Sequence, residues 1–154
     1  MLIREDDLQG PEIAALLGLH LAHMGNNSPA ESIHALDLDA LRRPEVTFWT
    51  VWDGSDLLGC GALKELDAAH GEIKSMHTAV AHRGRGIAKY VLRHIVDVAR
   101  QRAYQRLSLE TGSSDAFAAA QALYAGYGFL TCAPFAAYTD DPYSMFMTLD
   151  LTGT

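Results

Sequence analysis

HRGRGIAKYVLRHIVDVAR, residues 82–100, is the stretch whose reading decides the fold. Two glycines, Gly84 and Gly86, stand among three basic residues, His82, Arg83 and Arg85, and a long amphipathic pattern follows. Ile87, Val91, Ile95 and Val98 fall on one stripe at helical spacing, with Lys89, Arg93 and Asp97 facing outward. A glycine turn that follows a strand and opens a helix is a setting in which free N–H groups and the helix dipole hold an anion. Glycine permits both the close backbone approach and the unusual φ values that such a turn needs.

Upstream, EVTFWTVWDG alternates β-branched and aromatic residues up to a turn signal. DLLGCGALKELD reads as its hairpin partner, and HGEIKSMHTAV as a third consecutive strand running into the glycine turn. Further back, residues 2–4 predict a first strand. GPEIAALLGLHLAHMG predicts a helix started by Pro11, with Ile13, Leu16, Leu17 and Leu21 as its apolar positions and Gly25 as its stop. NNSPAESIHALDLDALRRP predicts a loop and a second, short helix closed before Pro44. Downstream, the helix of the opening stretch runs to about residue 102. RLSLETG is then a strand, SDAFAAAQALYAG an alanine-rich helix, and FLTCAPF and SMFMTLDL two final strands. This order predicts one α/β domain over residues 1–154, a mixed central sheet flanked by helices.

Composition narrows the classes of function. The chain is 49% hydrophobic and 20% charged, enough apolar material for a core and too little charge for wholesale disorder. Its net charge of −7 argues against general binding to nucleic acid or to an anionic membrane, either of which needs a basic face. Cys60 and Cys132 have neither CxxC spacing nor a disulfide framework and read as reduced thiols of a cytoplasmic protein. MLIREDDLQG lacks the cationic start and apolar run of a signal peptide, and no apolar run approaches the roughly 18–20 residues of a membrane span.

Two phosphate-binding motifs compete for the glycine turn. GxxxxGK[ST] has no match. A dinucleotide fingerprint has its first two glycines in Gly84 and Gly86 and an acid, Glu110, at the end of the next strand, but its third small position is Lys89. A third pattern fits better. RGRGIA, residues 83–88, resembles the (Q/R)xxGx(G/A) pyrophosphate loop of the GNAT N-acetyltransferases. EIKSMHTAVAHRGRGIAKYVL has that family's spacing from core strand to loop, and LYAGYGF is similar to its LYxxxGF signature. With the order of elements, the resemblance covers nearly the whole chain. SPAESIHALDLDALR and SLETGS further resemble a bacterial subgroup, some of whose members are labelled acetyltransferases linked to indole-3-acetic acid formation.

The resemblance implies acetyl-CoA as co-substrate and direct transfer of its acetyl group to an amine. It places the pantetheine against backbone groups of Met76 and Thr78 and the pyrophosphate on the amides of Gly84, Arg85, Gly86, Ile87 and Ala88. The Arg83 and Arg85 side chains add charge-assisted contacts. Tyr124, the tyrosine of LYxxxGF, would donate a proton or hydrogen bond to the leaving thiolate. The alanines on the same helix would leave room for the cofactor, though helix propensity accounts for them equally. For the base, Glu72 matches by spacing the glutamate of the histone-acetylating branch, and period-2 alternation puts it on one face with Lys74, Met76 and Thr78. Glu110, a water chain and His77, expected on the opposite face, compete with it.

His20 and His23 lie one helical turn apart and His34 follows a loop, but without HExxH or a cysteine pair no metal is expected. By the family layout His23, Ser32 and His34 line one wall of an acceptor groove. FAAYTDDPYS lines another, with Phe135, Tyr138 and Tyr143 as apolar surfaces and Asp140 and Asp141 as acids. The expected activity is N-acetylation of a small-molecule amine, without nucleic acid or membrane as partner, and with a homodimer left open. A non-catalytic acyl-CoA-binding sensor is the alternative, and an NAD-dependent oxidoreductase the distant third.

Overall fold

Alternation and turn signals in the first half of the chain build a run of antiparallel strands. The structure, a computed structural model, describes residues 1–18 and 38–152. Strands β1 (Leu2–Glu5), β2 (Val46–Asp53), β3 (Asp56–Asp67) and β4 (His70–Thr78) pair antiparallel in chain order. A helix, α3 (Ile87–Gln101), then crosses over to β5 (Arg106–Gly112), which pairs parallel with β4. Helix α4 (Ala118–Tyr127) leads to β6 (Leu130–Thr131) and β7 (Ser144–Asp150), and β7 inserts between β5 and β6. Residues 11–18 are helical (α1), and α2 (Leu38–Leu41) precedes β2. The seven-stranded mixed sheet, ordered β1-β2-β3-β4-β5-β7-β6, with helices on both faces is the α/β plan the sequence predicts.

Each face of the sheet has its own core. On one, α3 presents Ile87, Val91, Leu92, Ile95, Val96 and Ala99, all buried, to Val51, Leu58, Leu63, Ile73 and Leu107, while Tyr124 of α4 and Phe129 just beyond it extend the layer. Of the four expected positions Ile87, Val91 and Ile95 are buried and Val98 is half-buried, while Leu92, Val96 and Ala99 widen the stripe; Lys89, Arg93 and Asp97 are exposed as their spacing requires. Burial of each large aliphatic side chain contributes about 1.5–3 kcal/mol. A side-chain N-cap is worth only about 1 kcal/mol, and α3 has none; its packing holds it in place. Gly61 on β3 makes that packing close, because a Cβ there would lie 2.7 Å from both Met76 Sδ and Val91 Cγ1. On the other face, Leu8, Ile13, Leu16, Leu17 and Leu41 cover Phe48, Cys60 and Ala62.

Two expected elements are shorter in the structure. Only Leu130–Thr131 of FLTCAPF is strand. Cys132 N still donates to Phe146 O at 2.8 Å, but Pro134 brings no N–H to a ladder and Ala136 turns the chain at φ 52°. The alanine-rich helix opens as a 3₁₀ turn, Asp115–Phe117, before becoming α-helical at Ala118.

Candidate active site

The parallel ladder between β4 and β5 has four registered pairs, from His70–Arg106 to Ile73–Leu109, although β4 continues to Thr78 and β5 to Gly112. Past Ile73 the strands part, and the edge of β4 that faces β5 loses its strand partner. A bulge lies at the same place. Between Lys74, opposite Ala62, and His77, opposite Cys60, β4 has two residues where β3 has one. Ser75 takes the extra step at φ 57°, a left-handed conformation that non-glycine residues seldom adopt, and its carbonyl accepts the Cys60 thiol at 3.2 Å. Burial raises the Cys60 pKa to about 12, so the thiol remains a proton donor.

The bulge overturns the alternation expected along β4. Met76 Sδ meets the Gly61 position together with Val91 of α3, and Thr78 pairs with Gly59, whose Cβ direction points at Ile87. Met76 and Thr78 therefore face α3. Glu72 and Lys74 face the opposite side, in line with Ala62, and His77 joins them opposite Cys60. The expectation that Glu72 shares a face with Met76 and Thr78, with His77 on the other, is thus reversed by one inserted residue.

At the end of β4, Val80–His82 form a 3₁₀ turn and the glycine loop follows. Gly84 and Gly86 sit at φ 80° and 78°, and a Cβ on either would meet nothing within 4 Å. Their conformation, not crowding by the protein, calls for glycine. Gly86 is the N-cap of α3, and Tyr90 N donates to Gly86 O at 3.0 Å as the first helical bond. The amides of Ile87, Ala88 and Lys89 precede that bond and form the open donor end of the helix. Arg83 is exposed; its backbone N–H donates to Val80 O at 3.4 Å, and its guanidinium has no bonded partner among the described residues. Arg85 Nη1 donates to His82 Nδ1 at 2.8 Å, and its Nη2 lies 4.0 Å from Asp53 Oδ2. The loop can hold an anion with backbone amides and two guanidinium groups.

Tyr124 lies on α4, the helix that follows β5. It is buried, and its ring packs edge-on against Phe129 at 5.8 Å. Burial, and then the negative charge of Glu110, push its phenol well above the usual tyrosine range. Its hydroxyl has no hydrogen bond among the described residues. Glu110 also raises Tyr138, after burial and Glu72, so its charge is felt on both sides of the sheet.

On the face opposite α3, Glu72 and Lys74 form a buried ion pair at 2.9 Å. The Tyr138 hydroxyl donates to Glu72 Oε2 at 2.6 Å, and Lys74 Nζ donates to the same oxygen and, at 2.8 Å, to the phenol oxygen. Phe135 and Phe146 pack against the Tyr138 ring at 5.1 and 5.4 Å. The loop between β6 and β7 therefore supplies both an aromatic cover and a hydroxyl. From the sequence Tyr138 is expected only as an apolar surface. Nothing in the 66 residues of separation signals its bond to Glu72.

Tyr143, Asp140 and Asp141 belong to the same loop: Tyr143 and Asp140 are exposed, and Asp141 accepts the Tyr143 amide at 2.9 Å. His20, His23, Ser32 and His34 lie outside the described residues. Among the described residues no group of His, Cys, Asp and Glu could hold a metal ion. Both cysteines are free, and among the described residues no helix is long and apolar enough to cross a membrane. A groove between β1, Trp49 and the second half of α3 includes none of the expected site residues.

Comparison with known proteins shows the family and the fold. Residues 14–129 match the Acetyltransferase (GNAT) family. The chain is 55% identical over 151 residues to the uncharacterised N-acetyltransferase YsnE of Bacillus subtilis (strain 168), covering 98% of this chain and 100% of that protein. It is 36% identical over 145 residues to the IAA acetyltransferase of Azospirillum brasilense, covering 94% and 93% of the two chains. The crystal structure of a GNAT family acetyltransferase from Elizabethkingia anophelis with acetyl-CoA bound superposes with a TM-score of 0.71 at 20% identity, covering 97% of each chain.

Proposed function

Because the chain belongs to the acetyltransferase (GNAT) family, we propose that it transfers the acetyl group of acetyl-CoA directly to the amine of a small-molecule acceptor. The observation that supports this reading is the parting of β4 and β5 beyond Ile73 and Leu109, with the glycine loop following β4; Tyr124 on α4 feels the charge of Glu110 on β5. The freed edge of β4 around Met76 and Thr78 takes the pantetheine. An N–H of the bulged strand there polarises the thioester oxygen. Backbone amides of Gly84, Arg85, Gly86, Ile87 and Ala88 take the pyrophosphate, and Arg83 and Arg85 add positive charge.

The acceptor nitrogen then attacks the thioester carbonyl. A C–N bond forms as the C–S bond breaks, and the departing thiolate receives a hydrogen bond or proton from Tyr124. The raised pKa of Tyr124 keeps its proton in place through the neutral range, as a donor requires. The proton lost by the amine goes to Glu72, for which Glu110, His77 or a water chain are the competitors. The two free cysteines fit a reducing cytoplasm. The name of the Azospirillum brasilense relative puts indole compounds in the acceptor panel, beside amino acids and polyamines.

A thiol-release screen of acetyl-CoA against that panel tests the reading. The expected result is amine-dependent release that falls at least tenfold in Tyr124→Phe, since general-acid assistance is worth about 10²–10⁴-fold. Melting temperature should change little, because the ring and its contact with Phe129 remain. Wild-type turnover in that variant, measured where chemistry limits the rate, would remove Tyr124 as the donor. Tight CoA binding without release against any amine would leave the non-catalytic sensor.

A further inference from the structure

The two donors to Glu72 crowd onto one oxygen. Lys74 Nζ and the Tyr138 hydroxyl both reach Oε2, at 2.9 and 2.6 Å, and bond to each other at 2.8 Å. Oε1 accepts no bond among the described residues. A carboxylate has room for about four donors, and both donors to this one among the described residues fall on Oε2. The triangle is rigid as well as closed, because Phe135 and Phe146 hold the Tyr138 ring at 5.1 and 5.4 Å. Glu72 pairs with Ser108 one step before Ile73–Leu109, the last pair of the ladder, so its carboxylate lies at the foot of the cleft on the face away from α3.

We propose that Tyr138 is a positioning residue for the acceptor: with Lys74 it occupies Glu72 Oε2 and so presents Oε1 to the acceptor's N–H. The inference rests on the acyl-transfer reading and deepens its acceptor side. Loop anchoring alone does not account for the arrangement, because the Tyr138 ring already packs on two aromatic neighbours. A buried ion pair is also weak as a source of stability, since desolvation offsets most of its attraction. Burial raises the Tyr138 phenol, and the Glu72 charge raises it further, so its proton stays available for the bond. Lys74 balances the carboxylate charge without covering Oε1.

The experiment uses an amine found by the thiol-release screen and measures acceptor KM, kcat and CoA affinity. Tyr138→Phe is expected to raise acceptor KM by about tenfold or more, with a smaller change in kcat and unchanged CoA affinity. In a Glu72→Gln background the same change should add nothing to KM, because Tyr138 acts through that carboxylate. Lys74→Met removes the other donor and should raise KM in the same direction; it decides the matter by the same two readings if Tyr138→Phe does not fold. An unchanged KM, or a KM effect of equal size in the Glu72→Gln background, would overturn the positioning role while leaving acetyl transfer intact. A wild-type protein that turns over no amine would overturn the transfer reading, and this inference with it.

Discussion

Thr148 donates its hydroxyl proton to the Leu107 carbonyl at 3.0 Å, so it must accept from Ser108, also at 3.0 Å. Ser108 has then spent its own proton and accepts from His70 Nε2 at 2.7 Å. This direction assigns the proton of neutral His70 to Nε2 and leaves Nδ1 facing Arg106 Nη2 at 3.4 Å. A second proton on the ring would be buried and would point at a guanidinium. Burial, followed by Arg106, lowers the His70 pKa from 6.5, against smaller opposing pulls from Asp67 and Glu72. The folded protein therefore prefers neutral His70. That contribution to stability is complete above the unfolded value of 6.5 and is lost as pH falls below it toward the folded value. Urea unfolding at pH about 7 and about 5 should show wild type losing more stability than His70→Gln, which keeps an amide donor but does not titrate. Equal losses would remove His70 as the source.

Among the elements, the loop and the strand beneath α3 use glycine for different reasons, and substitutions should separate them. At Gly86, φ 78° puts any other residue in a strained conformation, while its side chain would point into open space. Gly86→Val should therefore weaken CoA binding at least tenfold, about 1.4 kcal/mol by calorimetry, with only a modest loss of stability. Unchanged CoA affinity in the folded variant would take the loop out of the site. At Gly61 the backbone is ordinary, but a side chain would strike Met76 and Val91 at 2.7 Å. Gly61→Val should cost about 1–3 kcal/mol of stability by overpacking, and its effect should appear in denaturation before binding. The glycine turn was legible in the sequence because local backbone rules produce it. The need for glycine at Gly61 was not, because the crowding comes from a helix some thirty residues on.

For the whole molecule, the parting of β4 and β5 makes the sheet incomplete where a ligand is expected to complete it. Ligand binding to the folded state alone stabilises it by about 2.7 kcal/mol at a hundredfold excess over Kd, which for a domain of this size means roughly 5–10 °C in Tm. CoA should give a rise of that order in wild type and a smaller one in Gly86→Val at the same concentration. Amides on the β5-facing edge of residues 74–78 should also exchange slowly only once CoA is present. Fast exchange there at saturating CoA would place the pantetheine elsewhere.

The order of elements, the mixed sheet and the outward positions of Lys89, Arg93 and Asp97 follow from patterns within single segments, where periodicity and turn chemistry act over a few residues. The motifs of the glycine loop and of Tyr124 are local in the same sense. The faces of β4 were decided only by tertiary structure. Pairing with β3 sets two residues of β4 against one across from it, and the left-handed step at Ser75 turns Met76 and Thr78 toward α3 and His77 toward Glu72. Nothing in KSMHT marks that bulge, because it arises from the match between two strands and not from the propensities of either. The bond from Tyr138 to Glu72 has the same origin: it forms where the loop between β6 and β7 folds over β4, a contact that no spacing along the chain encodes.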